Sequence, residues 1–529
     1  MLTLEQCLRA NRPLLFISCE SDIEVLTYLN TNFKNNFQVF STTFGRFNNL
    51  AGLLEKKFQL DAAGKRLSFI DALDMAYNRT FQEQDNFFET YVFLDMELDR
   101  QAIRKIKDIV SKHQLDFEYT VNLIFISQTI FVPPELERLS ELIFFDLPDE
   151  RLLREKSDQL AGPDQLDLKG ENAPTEEMIN NLKGLTLYEV EQAYTQSWKI
   201  YNGRVDLNFI REFKKGAISK TGLLSLLESG VSFDDIGGLS RLKEWIKNSY
   251  GGWTMEGKKY GLPLKKGVLL VGVPGTGKSL SAKSLGTEWG LPVIKFEMSK
   301  LFSSRVGESE QNMHRVLRIF ENVSPVIVFI DELEKSMAGI ESSTFSDAGT
   351  TARTMATFLS WMQDNTKPVF IVATANAISY VPPELVSRFD KVFFVNLPQF
   401  NERKEIIKIH LKKFNRDPDK FNTDILSEKS KDLSGREIEQ CIGEALYNAF
   451  HEKKEVTEDH IISVFNSKPG IKLTMKERIG NLLKWVGWDP QRKNGIRADF
   501  ASVPDDIDNV QAEIDQLISE IEDGKQSCQ

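Results

Sequence analysis

Cysteine is in short supply: there are four in 529 residues, at Cys7, Cys19, Cys441 and Cys528, widely spaced and with no CxxC pair. That excludes a disulfide framework, offers no zinc-ligand spacing, and fits a reducing compartment. Basic charge is short too, with 66 Lys and Arg against 77 Asp and Glu, a formal net charge of -11. Such a surface repels nucleic acid and anionic membranes unless a basic patch is concentrated locally. No apolar run reaches the roughly 18 residues of a membrane-spanning helix. The opening MLTLEQCLRANRPLLFISCE has no basic segment followed by a sustained apolar stretch, so no secretory leader is expected. The expectation is a soluble, cytoplasmic protein.

What is present is ordinary globular chemistry: 41% hydrophobic, 10% aromatic and 27% charged residues, which argues against wholesale disorder and against fibrous structure. At about 150 residues per domain the length suggests three to four domains. Short apolar runs at residues 14–17, 91–94, 122–126, 268–271, 326–330 and 370–373 sit between longer helical patterns. Runs rich in β-branched and aromatic residues in that setting read as buried parallel strands of an α/β fold. Polar stretches at residues 160–175 and 339–351 read as loops.

An internal repeat sets the expected architecture. Val132-Pro133-Pro134-Glu135-Leu136 leads to Phe144-Phe145 by the same step that takes Val381-Pro382-Pro383-Glu384-Leu385 to Phe393-Phe394. At almost the same offset, residues 185–192 (LTLYEVEQ) match residues 433–440 (LSGREIEQ). Two matches at one offset point to a tandem duplication. Beyond Gly470 the chain differs from both halves. Val503, Ile507, Val510, Ile514, Leu517, Ile518 and Ile521 have the spacing of an amphipathic helix with an acidic polar face. Such a helix either packs on its own domain or docks elsewhere.

The second half carries the chemistry. Gly272-Val273-Pro274-Gly275-Thr276-Gly277-Lys278-Ser279 fits GxxxxGK[ST] directly after the run at 268–271. Glycines let backbone N–H groups crowd around phosphate oxygens, and the following helix points its positive dipole end at the same anion. Gly272, Pro274, Gly275, Thr276, Gly277, Lys278, Ser279 and Leu280 are the expected phosphate-binding set. Lys278 would reach the β- and γ-phosphates of ATP, and Ser279 would ligate Mg²⁺. Asp331-Glu332 ends the run at 326–330. There Asp331 would hold the Mg²⁺ shell, and Glu332 would polarise the attacking water. Asn376, after the run at 370–373, can position that water. Arg388 is a candidate arginine finger for a neighbouring subunit, and Arg436 a candidate for the γ-phosphate of its own subunit.

Taken together, these motifs resemble the AAA ATPase family over residues 232–467. Phe233-Asp234-Asp235-Ile236-Gly237-Gly238-Leu239 resembles the family's opening segment, which implies adenine binding by Ile236 and Gly237. Val306-Gly307-Glu308-Ser309-Glu310 resembles its central-pore segment, with Arg305 where many unfoldases place an aromatic residue. The finger segment, Ser387-Arg388-Phe389-Asp390, is two residues shorter than the family's usual stretch. The whole chain is similar to a conserved AAA-type reading frame of cyanobacteria and plastids, which adds the plastid stroma to the expected locations. The resemblance implies a hexameric ring that hydrolyses ATP with Mg²⁺ and remodels a protein partner. A low-turnover, ATP-gated scaffold that recruits a partner through its first half is the alternative, and a nucleic-acid-dependent ATPase is disfavoured by the acidic balance.

Aligned on the repeat, the first half lacks this equipment. Leu14-Leu15-Phe16-Ile17-Ser18-Cys19-Glu20-Ser21-Asp22 stands in the P-loop position without glycines or a Lys-Ser pair. Tyr91-Val92-Phe93-Leu94-Asp95-Met96-Glu97 echoes the carboxylate strand, Gln128 falls near Asn376, Leu139 replaces the finger arginine and Tyr188 replaces Arg436. The expected organisation is two tandem AAA-like P-loop modules of the α/β class. Residues 1–205 form the degenerate copy with its lid, 206–231 a linker, 232–398 the ATPase α/β domain and 399–470 its helical lid. Residues 471–529 would be an extension ending in the amphipathic helix.

Overall fold

The computed structural model describes residues 4–32, 37–41, 45–47, 69–81, 88–115, 120–128, 130, 132–161, 166, 175–220, 222–227, 230–301, 308–342, 348–489, 494–495, 497–503 and 519. The chain divides into two compact units, residues 1–217 and 218–529.

The first unit is built on a six-stranded sheet in the order β3-β2-β4-β5-β1-β6. Its strands are β1 (Leu14–Ser18), β2 (Phe37–Ser41), β3 (Gly45–Phe47), β4 (Phe88–Leu94), β5 (Thr120–Ser127) and β6 (Glu141–Phe144). All neighbours are parallel except β3, which pairs antiparallel with β2. Parallel strands are covered on both faces, which is why their cores read as unbroken apolar runs. Thus Leu15 and Ile17 pack into one buried cluster, and Leu14 and Phe16 into the other. Helix α1 (Asp22–Asn32) follows β1. Beyond β6 a separate helical core holds Leu153, Leu182, Val190 and Tyr194, with α2 (Leu187–Ile200) at its centre.

The second unit has a seven-stranded sheet in the order β15-β12-β8-β11-β10-β9-β7. The strands are β7 (Leu224–Leu227), β8 (Gly267–Gly272), β9 (Val293–Phe296), β10 (Val326–Ile330), β11 (Val369–Ala375), β12 (Lys391–Val395) and β15 (Asp499–Phe500), with β13 (Trp488–Asp489) and β14 (Asn494–Gly495) forming a separate hairpin. Every residue of β8, β10 and β11 is buried. Along β8, Leu269 and Val271 face one core and Val268 and Leu270 the other, the period-2 alternation of a strand covered on both sides. Helix α3 (Ser240–Ser249) precedes β8, and α4 (Lys278–Trp289) follows it. The lid has its own core, assembled from α5 (Phe400–Lys413) and α6 (Gly435–His451) with two shorter helices. With β3, β7 and β15 set aside, β6-β1-β5-β4-β2 and β12-β8-β11-β10-β9 are the same order of strands within each unit.

Two stretches differ from the sequence expectation. Residues 206–231, read as a linker, hold a helix (Leu207–Ser219) and β7, which pairs antiparallel with β9 at the sheet edge. Their apolar residues, Ile210 and Leu224 among them, are buried rather than spanning solvent. Residues 471–503, expected as the start of an extension, pack back on the second unit. Helix α7 (Lys476–Val486) buries Ile479, Leu482, Leu483 and Val486 in the main core, and β15 joins the sheet beside β12. The amphipathic pattern beyond Val503 lies outside the described residues, as do Arg305, Val306 and Gly307.

If α7 is core rather than appendage, Leu483→Ala leaves a cavity beneath the sheet. Denaturant unfolding followed by tryptophan fluorescence is expected to show a loss of about 2–5 kcal/mol. A loss near zero would mean that the helix is not packed.

Candidate active site

The second unit carries a cleft of about 390 Å³ above the C-terminal ends of its strands, where open α/β sheets place their ligands. Its floor is the turn between β8 and α4. Thr276 Oγ1 donates to Val273 O at 2.7 Å and stiffens that turn. Gly277 caps α4 with φ +93° and no side-chain hydrogen bond, a left-handed conformation suited to glycine. The first amides of α4 therefore have no side-chain acceptor from the cap. At Gly272 a Cβ would collide with Val395 O on the neighbouring strand.

Lys278 is only 5% exposed, and its ammonium donates to Gly272 O at 2.9 Å and Val273 O at 2.7 Å. Burial pushes its pKa down to about 8, against the opposing pull of Glu334, Asp331 and Glu332. Asp331 joins three elements at this point. Its Oδ1 accepts from Ser279 Oγ on α4 at 3.1 Å and from Thr374 Oγ1 on β11 at 2.6 Å. Glu332 follows with φ +51°, its backbone N–H donating to Thr374 Oγ1 at 3.0 Å. The Glu332 carboxylate pairs with Lys335 at 2.6 Å, one turn along the next helix. Asn376 is held from behind, its N–H donating to Glu334 Oε1 at 3.1 Å. Burial raises the Glu334 pKa.

The rest of the lining comes from other elements. Ile236 and Gly237 come from the segment before α3, Ile406, Ile409 and His410 from α5, and Arg436 and Glu439 from α6. Helix α6 is tied to the turn after β8 directly, because Arg436 N–H donates to Gly275 O at 3.1 Å. Burial lowers the His410 pKa and favours the neutral ring.

Of the residues predicted from sequence, Ile236, Gly237, Pro274, Gly275, Thr276, Gly277, Lys278, Ser279, Leu280, Asp331, Glu332, Asn376 and Arg436 all line this one cleft. Gly272 lies beneath it and holds Lys278. Arg388 is exposed and does not line it. Sequence reading missed Thr374, Glu334, Ile406 and His410. Glu334 and Thr374 each sit within three residues of a predicted site residue, a signal that was there to follow. Nothing local marks Ile406 or His410, which arrive on a lid helix.

The donor set fits a nucleotide with a hard cation. A buried ammonium and open helix amides suit phosphate, and Ser279 Oγ with Asp331 Oδ1 offers the few oxygens a phosphate-bound Mg²⁺ needs. Residues 268–397 match the family model for the ATPase family associated with various cellular activities, AAA. Over 502 residues the chain is 34% identical to the AAA domain-containing protein ycf46 of Pyropia yezoensis, covering 92% of this chain and 97% of the relative. The chain belongs to the AAA ATPase family. The ycf46 protein of Trieres chinensis is 36% identical over 69% of this chain and 73% of its own length. A proteasome-activating nucleotidase of Thermococcus onnurineus is 31% identical over 47% and 64% respectively. Membership in the AAA family carries ATP binding and ATPase activity as family properties.

In this AAA protein the buried Lys278 is predicted to leave a pH signature. Its folded pKa of about 8 lies below that of a solvated lysine, about 10.4. Between those values the unfolded chain holds a proton that the folded chain has released, so stability rises with pH across that window. Below about pH 8 the penalty is fully present. Without nucleotide, the stability of wild type relative to Lys278→Met should therefore improve between pH 8 and 10 in denaturant melts. A flat difference would mean that the ammonium is solvated.

Proposed function

We propose that the second unit hydrolyses ATP to ADP and phosphate with Mg²⁺, in an oligomer that remodels a protein partner. One observation carries this reading: Lys278, Ser279, Asp331, Glu332 and Asn376 line a single cleft together with Ile236, Gly237 and Ile406. Ile236 and Gly237 take the base, and Lys278 and the amides around Gly275 and Gly277 take the phosphates. Ser279 and Asp331 hold the metal, which when bound neutralises charge developing on the phosphates. Glu332 orients and polarises the attacking water, and Asn376 helps to place it. Arg436 lies where it can meet the γ-phosphate within its own subunit. Arg388 is exposed and does not line the cleft, and we assign it to a neighbour's site, which calls for a ring; a hexamer is the family form. Free, buried Cys7, Cys19 and Cys441 support a reducing compartment, cytoplasm or stroma.

The first unit we read as a copy that has lost its nucleotide site. Its strands keep the order of the second sheet. Residues 19–21, between β1 and α1, are a shorter connection than residues 273–277, and Gln128 Nε2 donates to Glu20 O across it at 3.2 Å. Asp95, with φ +51°, accepts from Ser127 Oγ at 2.8 Å, the counterpart of the Asp331–Thr374 bond. Where a phosphate would face the lid, Glu24 on α1 accepts the Leu187 N–H at 2.5 Å and so occupies the N-terminus of α2 with the protein's own carboxylate.

The Glu332–Lys335 pair favours a second reading, a low-turnover switch, because a carboxylate engaged by an ammonium is less available to water. Specific ATPase rate against protein concentration, with Lys278→Ala as blank, separates the two. A rate per subunit that rises and then levels off is expected, with Arg388→Ala losing about 10²-fold or more. A rate near the blank at every concentration would favour the switch.

Glu332→Gln should retain ATP while hydrolysis falls about 10²-fold or more. Calorimetric titration of that variant is expected to find one ATP per chain, and none after Lys278→Ala. Two per chain would overturn the reading of the first unit.

A further inference from the structure

The segment around β15 reaches the turn before α3 that carries Ile236 and Gly237. Residues 497–502 run as a strap across the edge of the second sheet. Arg497 N–H donates to Val486 O at 3.1 Å, and β15 pairs in parallel with β12, Phe393 with Asp499 and Phe394 with Phe500. Phe500 packs edge-on against Phe394 at 5.4 Å, and Lys391 pairs with Asp499. Ala498, Phe500 and Ala501 are each at most 4% exposed, so the strap is core, not surface.

From there the strap reaches the start of α3 and the base-binding turn. Helix α3 begins after Leu239, in the left-handed region at φ +55°, with no side chain capping its first amides. One of those amides, Leu242 N–H, donates instead to Ala501 O at 3.1 Å, while Ala501 N–H donates to Phe394 O at 2.9 Å. The next residue, Ser502, donates its hydroxyl to Glu402 Oε1. Glu402 is the joint of this region. Its Oε1 also accepts Leu239 N–H at 3.0 Å, and its Oε2 accepts Gln399 N–H at 2.9 Å at the start of α5. Beside it Glu405 accepts Gly238 N–H at 2.7 Å.

The fit is tight enough to demand glycine. At Gly237 a Cβ would stand 2.7 Å from Ile406 Cγ1 and 2.8 Å from Ile406 N, and at Gly238 it would collide with the Glu402 carboxylate. A carboxylate that accepts from Leu239, Gln399 and Ser502 has one orientation that satisfies all three. Removing the Ser502 hydroxyl frees Glu402 to turn, and the Gly237–Gly238 turn loses its backing.

Resting on the reading of the second unit as an ATPase, we infer that Ser502 and Glu402 are positioning residues for base recognition. The C-terminal strap is thereby part of the ATP site, and not a tether leaving it. Phosphate contacts, which come from the turn after β8, stand apart from this chain of bonds.

Calorimetry on the full chain with Mg²⁺ tests this, comparing ATP with inorganic tripolyphosphate, which has phosphates but no base. Ser502→Ala is expected to weaken ATP about three- to tenfold, to leave tripolyphosphate within about twofold, and to raise KM with kcat held. Ser502→Thr, which keeps the hydroxyl, restores ATP affinity. Unchanged ATP binding in Ser502→Ala overturns the inference. So does a parallel loss of ATP and tripolyphosphate, which marks general loosening, or a failure of Ser502→Thr to rescue. A wild-type chain that binds neither ligand refutes the ATPase reading itself, and this inference with it.

Discussion

A lysine ammonium that is 5% exposed must be compensated by its surroundings, and much of the second unit answers that need. Two carbonyls at the end of β8 accept hydrogen bonds from it, and three carboxylates just beyond β10 supply the opposing field. Those groups meet only because β8 lies next to β11, and β11 next to β10. Asp331, at the end of β10, then reaches both Ser279 and Thr374. The site is a consequence of strand order: three strand ends, distant in the chain, converge on one buried charge.

The contrast with the first unit isolates what that charge requires. Both sheets share an order of strands, and both place an acidic residue with φ near +51° after the fourth strand of that order. The first unit has no lysine at the turn after β1, and its connection is too short to surround a phosphate. Glu24 meets the lid helix there. A carboxylate in that place satisfies a helix N-terminus without any ligand, whereas the second unit keeps a buried lysine at the turn after β8.

Contiguous motifs were the legible part of the sequence. The glycines before Lys278, the Asp331-Glu332 pair and Asn376 announce themselves because each is a strand end followed by residues whose chemistry makes sense only at a phosphate. The α/β class was legible for a similar reason, since strands covered on both faces leave unbroken apolar runs. Arg436 could be picked out by its place at the start of a helix, and it lies in the cleft. Residues 206–231 were misread because a short helix and a four-residue edge strand carry too little periodicity to stand out from a linker. Residues 471–503 read only as the start of an extension, because sequence does not say which surface a helix such as α7 covers.

What the sequence determined by itself was local: which turn carries the glycines and the lysine, which carboxylates stand at strand ends, and which half lacks the first of these. These depend on residue type and on neighbours a few positions away. Tertiary structure alone decided what surrounds them. It brought Ile406 and His410 of α5 into the cleft, set Glu334 behind Asn376, and returned Ala501 and Ser502 to α3 and Glu402. Such contacts follow from how helices and strands pack to bury apolar surface. A backbone carbonyl such as Ala501 O, which caps α3, leaves no trace in residue identity at all.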